Sequence, residues 1–376
     1  MMDIKREERQ KPRKRRIKVR NMAAGLVLSA AMLLSACAGK GGEAPPNPTA
    51  TEATDSPAVA TEAPAYPYVA PLTGVGRQTE AAERPIAVMI NNLKPARPQS
   101  GLTNADVIWE VLAEGGVTRL IAIFQSTDRL TDNIGPIRSI RPYLIEIGET
   151  YGAVLAHAGA STDAYAILQQ QKKPYLDEIS NAGTYFWRSK DRKAPHNLYA
   201  SLDKLRQGAE KRGYSAGKAV PVYSFLPEED SVAAVTSTTN DTGVADVSHV
   251  EIMFTLKNYK VSYDYDKASG LYKRFINNEP HVDMNNNEQL SAANLVVLEA
   301  SHKTLDDVGR LAVNLTSGGK AVLLQKGRVI DCEWVRAEDN MIRIMKDGAE
   351  VKLVQGKTFF HIVPNTPSFD EHVKYG

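Results

Sequence analysis

The chain has 376 residues, with 46 Lys+Arg, 44 Asp+Glu and a formal net charge of +2. Ten of the basic residues and three of the acidic ones (Asp3, Glu7, Glu8) lie in residues 1–36, so the remainder carries 36 basic against 41 acidic residues, a net charge near −5. Without a basic footprint the remainder is not expected to bind nucleic acid.

The N-terminus reads as an export signal over residues 1–36. Ten Lys/Arg in residues 1–20 precede a nearly all-apolar run from Met22 to Leu34, and small residues lead into a cysteine. The run is too short to span a bilayer comfortably. Leu34-Ser35-Ala36-Cys37 resembles the lipobox of bacterial lipoproteins. That resemblance implies a diacylglyceryl cysteine at Cys37, cleavage before it, and lipid anchoring at the extracytoplasmic face of the cell membrane. A plain soluble export signal is the alternative, and Arg15-Arg16 reads as ordinary n-region charge. With Cys37 lipidated, Cys332 has no partner for an intramolecular disulfide. It lies in an apolar strand pattern, as a small buried hydrophobe rather than a catalytic thiol. Residues 37–82, rich in Ala, Pro, Thr and Glu, read as a disordered tether.

Residues 83–228 read as a mixed α/β layer domain. Ile86–Asn91, Val107–Leu112, Leu120–Phe124 and Ala153–Ala158 are short apolar runs suited to doubly buried strands. Helices are expected from Ser139 to Gly148, after the Ser161-Thr162-Asp163 cap, and from Ser201 to the terminator Gly213. Residues 229–246 are polar and aperiodic, a linker. Residues 247–364 then show two-fold alternation with turn signals at Ser269-Gly270, Asn277-Asn278, Gly318-Gly319, Asp339-Asn340 and Asp347-Gly348. Strands are expected at Val261–Tyr265, Leu271–Ile276, Leu295–Leu298, Ala321–Leu324, Val329–Trp334, Met341–Ile344, Val351–Val354 and Phe359–Val363. The fold class is therefore α+β, with an N-terminal α/β domain and a mainly antiparallel β domain that could close partly into a barrel. Residues 365–376 read as a tail.

The polar residues suited to chemistry concentrate in the first domain: Asn91-Asn92, Arg97 to Gly101, Glu110, Glu114 to Arg119, Gly135 to Pro142, His157 to Ser161, and Arg192 to Asn197. In this order and spacing they resemble the YerB-like lipoprotein family from about Pro85 to Pro364. Gly135–Pro142 and Ala194–Tyr199 are the most specific stretches, and Tyr272-Lys273-Arg274, Asp283 and Asn294–Val297 fit the second half. The resemblance implies a domain of unknown function joined to a characteristic C-terminal partner domain, with no assigned reaction.

Arg138 and Arg141, three apart at an expected helix start, suit an anion site, with Arg97, Arg119 and Arg192 candidates for the same side. The opposing reading pairs these arginines with Glu110, Glu114, Asp128 and Asp132 to brace loops. His157 ends an apolar strand as a buried histidine or a general base, and His196, near Arg192, is a loop candidate. Gly159-Ala160-Ser161 lacks the glycine a nucleophile elbow needs, which leaves Ser161 as a cap. No His-Glu-x-x-His, Walker loop or cysteine cluster occurs, so no metal and no cofactor are expected. Two functions follow. One is an anchored binding or accessory module for an anionic envelope ligand or a protein partner. The other is an envelope enzyme acting on phosphorylated cell-wall or polyprenyl-phosphate precursors, suggested by a short similarity of Ser100–Asp106 and Ile137-Arg138-Ser139 to phosphotransferases that attach polymers to peptidoglycan.

Overall fold

Residues 66–216, 222–227, 244–255 and 258–376 are described by the computed structural model. Cys37, and the 229–246 segment apart from its last three residues, lie outside them.

Runs that can be buried on both faces become central strands. β1 (Ile86–Asn91), β2 (Val107–Leu112) and β3 (Thr118–Phe124) are buried at every position, and β4 (Val154–His157) and β5 (Tyr175–Asp177) follow them. Three helices intervene: α1 (Pro142–Thr150), α2 (Thr162–Gln170) and α3 (Leu202–Lys211). Ser161 Oγ accepts from the Ala164 N–H at 3.3 Å and Ser201 Oγ from that of Lys204 at 3.4 Å, so both predicted caps form. Ser139 is not a cap. Pro142 suits the first helical position and pushes Arg141 before it to φ −133°, ψ 162°, which makes Arg141 the N-cap and leaves Arg138 outside the helix.

The second half contributes β6 (Val244–Asp246), β7 (His249–Met253), β8 (Lys260–Asp266), β9 (Leu271–Ile276), β10 (Asn294–Ala300), β11 (Gly319–Gln325), β12 (Arg328–Arg336), β13 (Ile342–Lys346), β14 (Ala349–Glu350), β15 (Thr358–Pro364) and β16 (Val373–Tyr375). Val351–Val354 is not a strand, and Leu353 makes only an isolated bridge to Phe225.

The halves meet in one mixed sheet of order β14-β13-β12-β11-β10-β15-β2-β3-β1-β4-β5, with β6 pairing β12. β15, buried along its whole length, runs parallel to β10 on one side and to β2 on the other. At that seam the Trp109 and Phe360 rings stack 4.1 Å apart. A second, antiparallel sheet places β9, β8, β7 and β16 side by side. The fold is α+β and its C-terminal part mainly β, but among the described residues that part forms no barrel, because β15, paired with β10 of its own half, takes β2 on its other side and carries the sheet into the first half. Among the described residues the sheet packs in layers. Ile86, Val88 and Ile90 face Leu202 and Leu205 of α3 and the second sheet's Val250, Val261 and Tyr263. Ala87 and Met89 face Leu144 and Ile147 of α1 and Leu168 of α2.

Both ends of the folded part extend past the expected bounds. Tyr68–Val69 pairs with Gly76–Arg77, with Ala70 and Leu72 buried beneath, so order begins upstream of residue 83. Residues 365–376 are not a free tail. They form α4 (Phe369–His372) and the edge strand β16, held by buried Phe369 and Val373.

Candidate anion-binding site

Parallel strands β1 and β4 point the same way, β4 ending at His157, level with Met89, and β1 at Asn91 just beyond. Residues 135–141 cross these carboxyl ends. Asn91 N–H donates to Pro136 O and Arg138 N–H to Met89 O, both at 2.8 Å, while Arg138 O accepts from Ala158 N–H at 3.1 Å. Arg138 is thus fixed by its backbone between two strand ends, the edge where ligands gather in open α/β sheets. Gly135 allows the crossing: its φ is +151°, and a Cβ there would lie 2.7 Å from Leu198 O. Ile137 N–H donates to Leu198 O at 2.8 Å, which brings the 188–197 loop alongside.

The candidate side chains then separate into roles. Arg141 pairs with Glu114 and donates to Ile140 O at 2.7 Å. For this pair the bracing reading holds. Burial acts to raise the Glu114 pKa, but the bond from Arg141 and its charge hold it below the ordinary value. Arg119, 5% exposed and opposite Asn91 in the β1–β3 register, donates to Ser139 O, and its buried Nε has no partner among the described residues. Burial, with Arg141 adding repulsion, brings its pKa down to about 10. Arg138 is half-buried and its side chain has no hydrogen bond or ion pair among the described residues; its Nε is fully shielded. Burial and the charges of Arg141 and Arg188 lower its pKa, against a smaller raising effect of Glu114. Arg188, a member of this cluster that sequence reasoning missed, pairs with Glu178 at 3.1 Å.

His196 joins the same edge. Asn91 Oδ1 accepts from Leu93 N–H at 3.1 Å, which turns the Asn91 amide nitrogen toward His196 Nδ1 at 2.8 Å. Nδ1 therefore accepts, and the ring proton sits on Nε2. Burial and the charges of Arg138 and Arg192 keep the ring's pKa low. His157 is not part of the edge. It is fully buried, its Nδ1 is 3.0 Å from Gly159 O, and burial, against the pull of Asp177, lowers its pKa to about 4. Arg192 donates to Pro98 O at 2.5 Å with Nη1 unpartnered, and Arg97 lies 5.4 Å from the Tyr259 ring centroid with Nε unpartnered. The backbone at the start of α1 adds little, since Pro142 lacks an N–H and those of Leu144 and Ile145 donate to Arg141 O. Any affinity for anions rests on side chains, the guanidinium groups and the His196 N–H, rather than on this helix start.

Beneath Arg97 lies a buried network that sequence reasoning did not assemble. Glu110 on β2 and Arg274 on β9, both with no exposure, pair at 2.7 Å. Glu110 Oε1 accepts from Tyr259 at 2.5 Å and Thr118 at 2.7 Å. Arg274 donates to His281 Nδ1 at 3.0 Å and to Tyr263. Burial acts to raise the Glu110 pKa, but Arg274, His361 and Tyr259 together hold it well below the carboxylate range. One signal was present: Glu110 interrupts the apolar run of β2, and Arg274 sits between Tyr272 and Ile276 on the inward face of β9.

An α/β part and a β part that share one sheet define a two-part module. Residues 72–215 match the family described as "Protein of unknown function (DUF3048) N-terminal domain", and residues 250–360 match its C-terminal domain. The chain belongs to this DUF3048 family. It is 34% identical over 298 residues, 79% of its own length and 86% of the relative's, to "Putative lipoprotein YerB" of Bacillus subtilis (strain 168). A crystal structure of YerB protein from Bacillus subtilis is similar with a TM-score of 0.72 at 33% identity, covering 82% of this chain and 99% of that one.

Proposed function

We propose that this protein is a lipid-anchored module of the bacterial envelope that binds an anionic ligand at the edge centred on Arg138. The anchoring part draws on the Leu34-Ser35-Ala36-Cys37 pattern and on the similarity to a protein named as a lipoprotein. Among the described residues no helix is long and apolar enough to cross a membrane. The binding part draws on one observation. Arg138 is half-buried, surrounded by Arg119, Arg141 and Arg188, and unpaired among the described residues, although Glu114 and Glu178 stand nearby on other arginines. Holding a cation among cations costs stability, and an anion relieves that cost. His196 offers an N–H here, not a base, so the geometry favours binding over catalysis.

The test is thermal melting of the full chain with and without pyrophosphate. Ligand at a hundred times Kd stabilises by about 2.7 kcal/mol. The wild type should gain melting temperature, whereas Arg138→Gln should melt at or slightly above the wild type without ligand, since it removes a charge held among like charges, and gain nothing with it. Arg141→Gln should lose stability without ligand because Glu114 loses its partner. No ligand response in the wild type would reject the proposal.

A further inference from the structure

We infer that the ligand carries two adjacent phosphoryl groups, one held at Arg138 and Arg119, the second reached by His196 Nε2, Arg192 and Arg97. This rests on the reading of Arg138 just given and extends it along the edge. His196 Nδ1 lies 2.8 Å from the Asn91 amide nitrogen, and Asn91 O accepts from Gln99 Nε2 at 3.0 Å, so the 192–196 and 97–99 segments meet at the end of β1. Arg192 is tied by Nη2 to the carbonyl of Pro98, the residue after Arg97. Arg138, His196, Arg192 and Arg97 therefore belong to segments that border the same strand end.

The outer Nη groups of Arg97 and Arg138 form no hydrogen bond among the described residues, while the unpartnered Nε of Arg97, Arg119 and Arg138 and Nη1 of Arg192 are shielded from solvent. Three nearby carboxylates are paired elsewhere, Glu114 with Arg141, Glu178 with Arg188 and Glu110 with Arg274, while the exposed Asp191 accepts only from Ser189 among the described residues. A row of guanidinium groups without ion pairs among the described residues, in a chain whose residues 37–376 carry a net charge near −5, points to more than one negative charge. A carboxylate presents two coplanar oxygens to one fork. A phosphoryl group presents three and can accept from donors that arrive on several segments, here residues 97, 119, 138 and 192–196. Arg97 is braced by the Tyr259 ring from the C-terminal half, so the second position draws on both halves of the chain.

The same chemistry occurs in a phosphoanhydride and in a phosphodiester chain. Calorimetric titration of the full chain in detergent with inorganic phosphate, pyrophosphate and a short glycerol-phosphate oligomer separates them. Pyrophosphate or the oligomer should bind at least about tenfold tighter than phosphate, and the tighter of the two identifies the source. Arg97→Gln should reduce that tighter binding by roughly tenfold to hundredfold, the loss of one charged hydrogen-bonding partner, and leave phosphate within about twofold. Arg138→Gln should weaken all three. Lys204→Gln, an exposed change on α3, should alter none. Should Arg97→Gln unfold, Arg97→Lys, which keeps the charge and loses the fork, carries the same comparison. Equal affinity for all three ligands, or no effect at residue 97, would overturn the two-phosphoryl inference and leave the Arg138 reading standing. No binding of any ligand would overturn both.

Discussion

Replacing Arg274 with methionine tests the join between the two halves. Arg274 and Glu110 are both fully buried, so the variant leaves a carboxylate in the interior with Tyr259 and Thr118 but without its cation. Breaking a buried pair in this way typically costs about 3–5 kcal/mol. At roughly 2–4 °C per kcal/mol for a domain of this size class, melting should fall by about 6–20 °C. Glu110→Gln should cost a similar amount by stranding Arg274. The double variant removes both charges, so its loss should be smaller than the two single losses combined, with a coupling of about 0.5–3 kcal/mol in urea denaturation at neutral pH. The sign of the pH effect follows from the same pair. Glu110 has a folded pKa below its unfolded one, so its stabilisation is present above about pH 4.3 and is lost as pH falls below it. Wild-type stability should drop more steeply under acid than that of Glu110→Gln. Single variants within about 1 kcal/mol of the wild type, with strictly additive losses, would refute the reasoning.

Other outcomes follow from the same structure. Cys37→Ser should abolish partitioning into the detergent phase, and a cleaved, detergent-phase product would contradict lipidation at that residue. Proteolysis should cut within the polar 228–243 stretch, yet the two pieces should co-elute under native conditions because β15 is paired with both β10 and β2; separate folded pieces on a sizing column would show that the shared sheet does not hold them. His157 should titrate by NMR near pH 4. Since the unfolded chain takes that proton first, stability should fall by about 3 kcal/mol as pH drops from about 6.5 toward 4, and an NMR midpoint near 6.5 would contradict its burial.

Local structure was legible where one segment carries its own signal. Ile86–Asn91 and Val107–Leu112 are continuous apolar runs, and Ser161 and Ser201 each precede a helix by one position. Ser139 misled because two competing starts lay close together, and Pro142 decided between them. Pairing between distant segments was not legible. Nothing within Thr358–Pro364 records that it lies parallel to both Asn294–Ala300 and Val107–Leu112, so the halves read as more separate than they are. The candidate site divides in the same way. Arg138, Arg141, Arg119 and His196 could be named from composition, but which arginine Glu114 takes depends on the fold. The Glu110–Arg274 pair was visible only as two opposite charges misplaced in apolar phases.

Tungstate, a tetrahedral dianion with strong anomalous scattering, can locate directly the anion that Arg138 is proposed to hold. A crystal of the chain soaked in tungstate should show an anomalous peak with its oxygens about 3 Å from Arg138. The absence of a peak there, with the Arg138 side chain paired with a carboxylate such as Glu114, would contradict the proposed site.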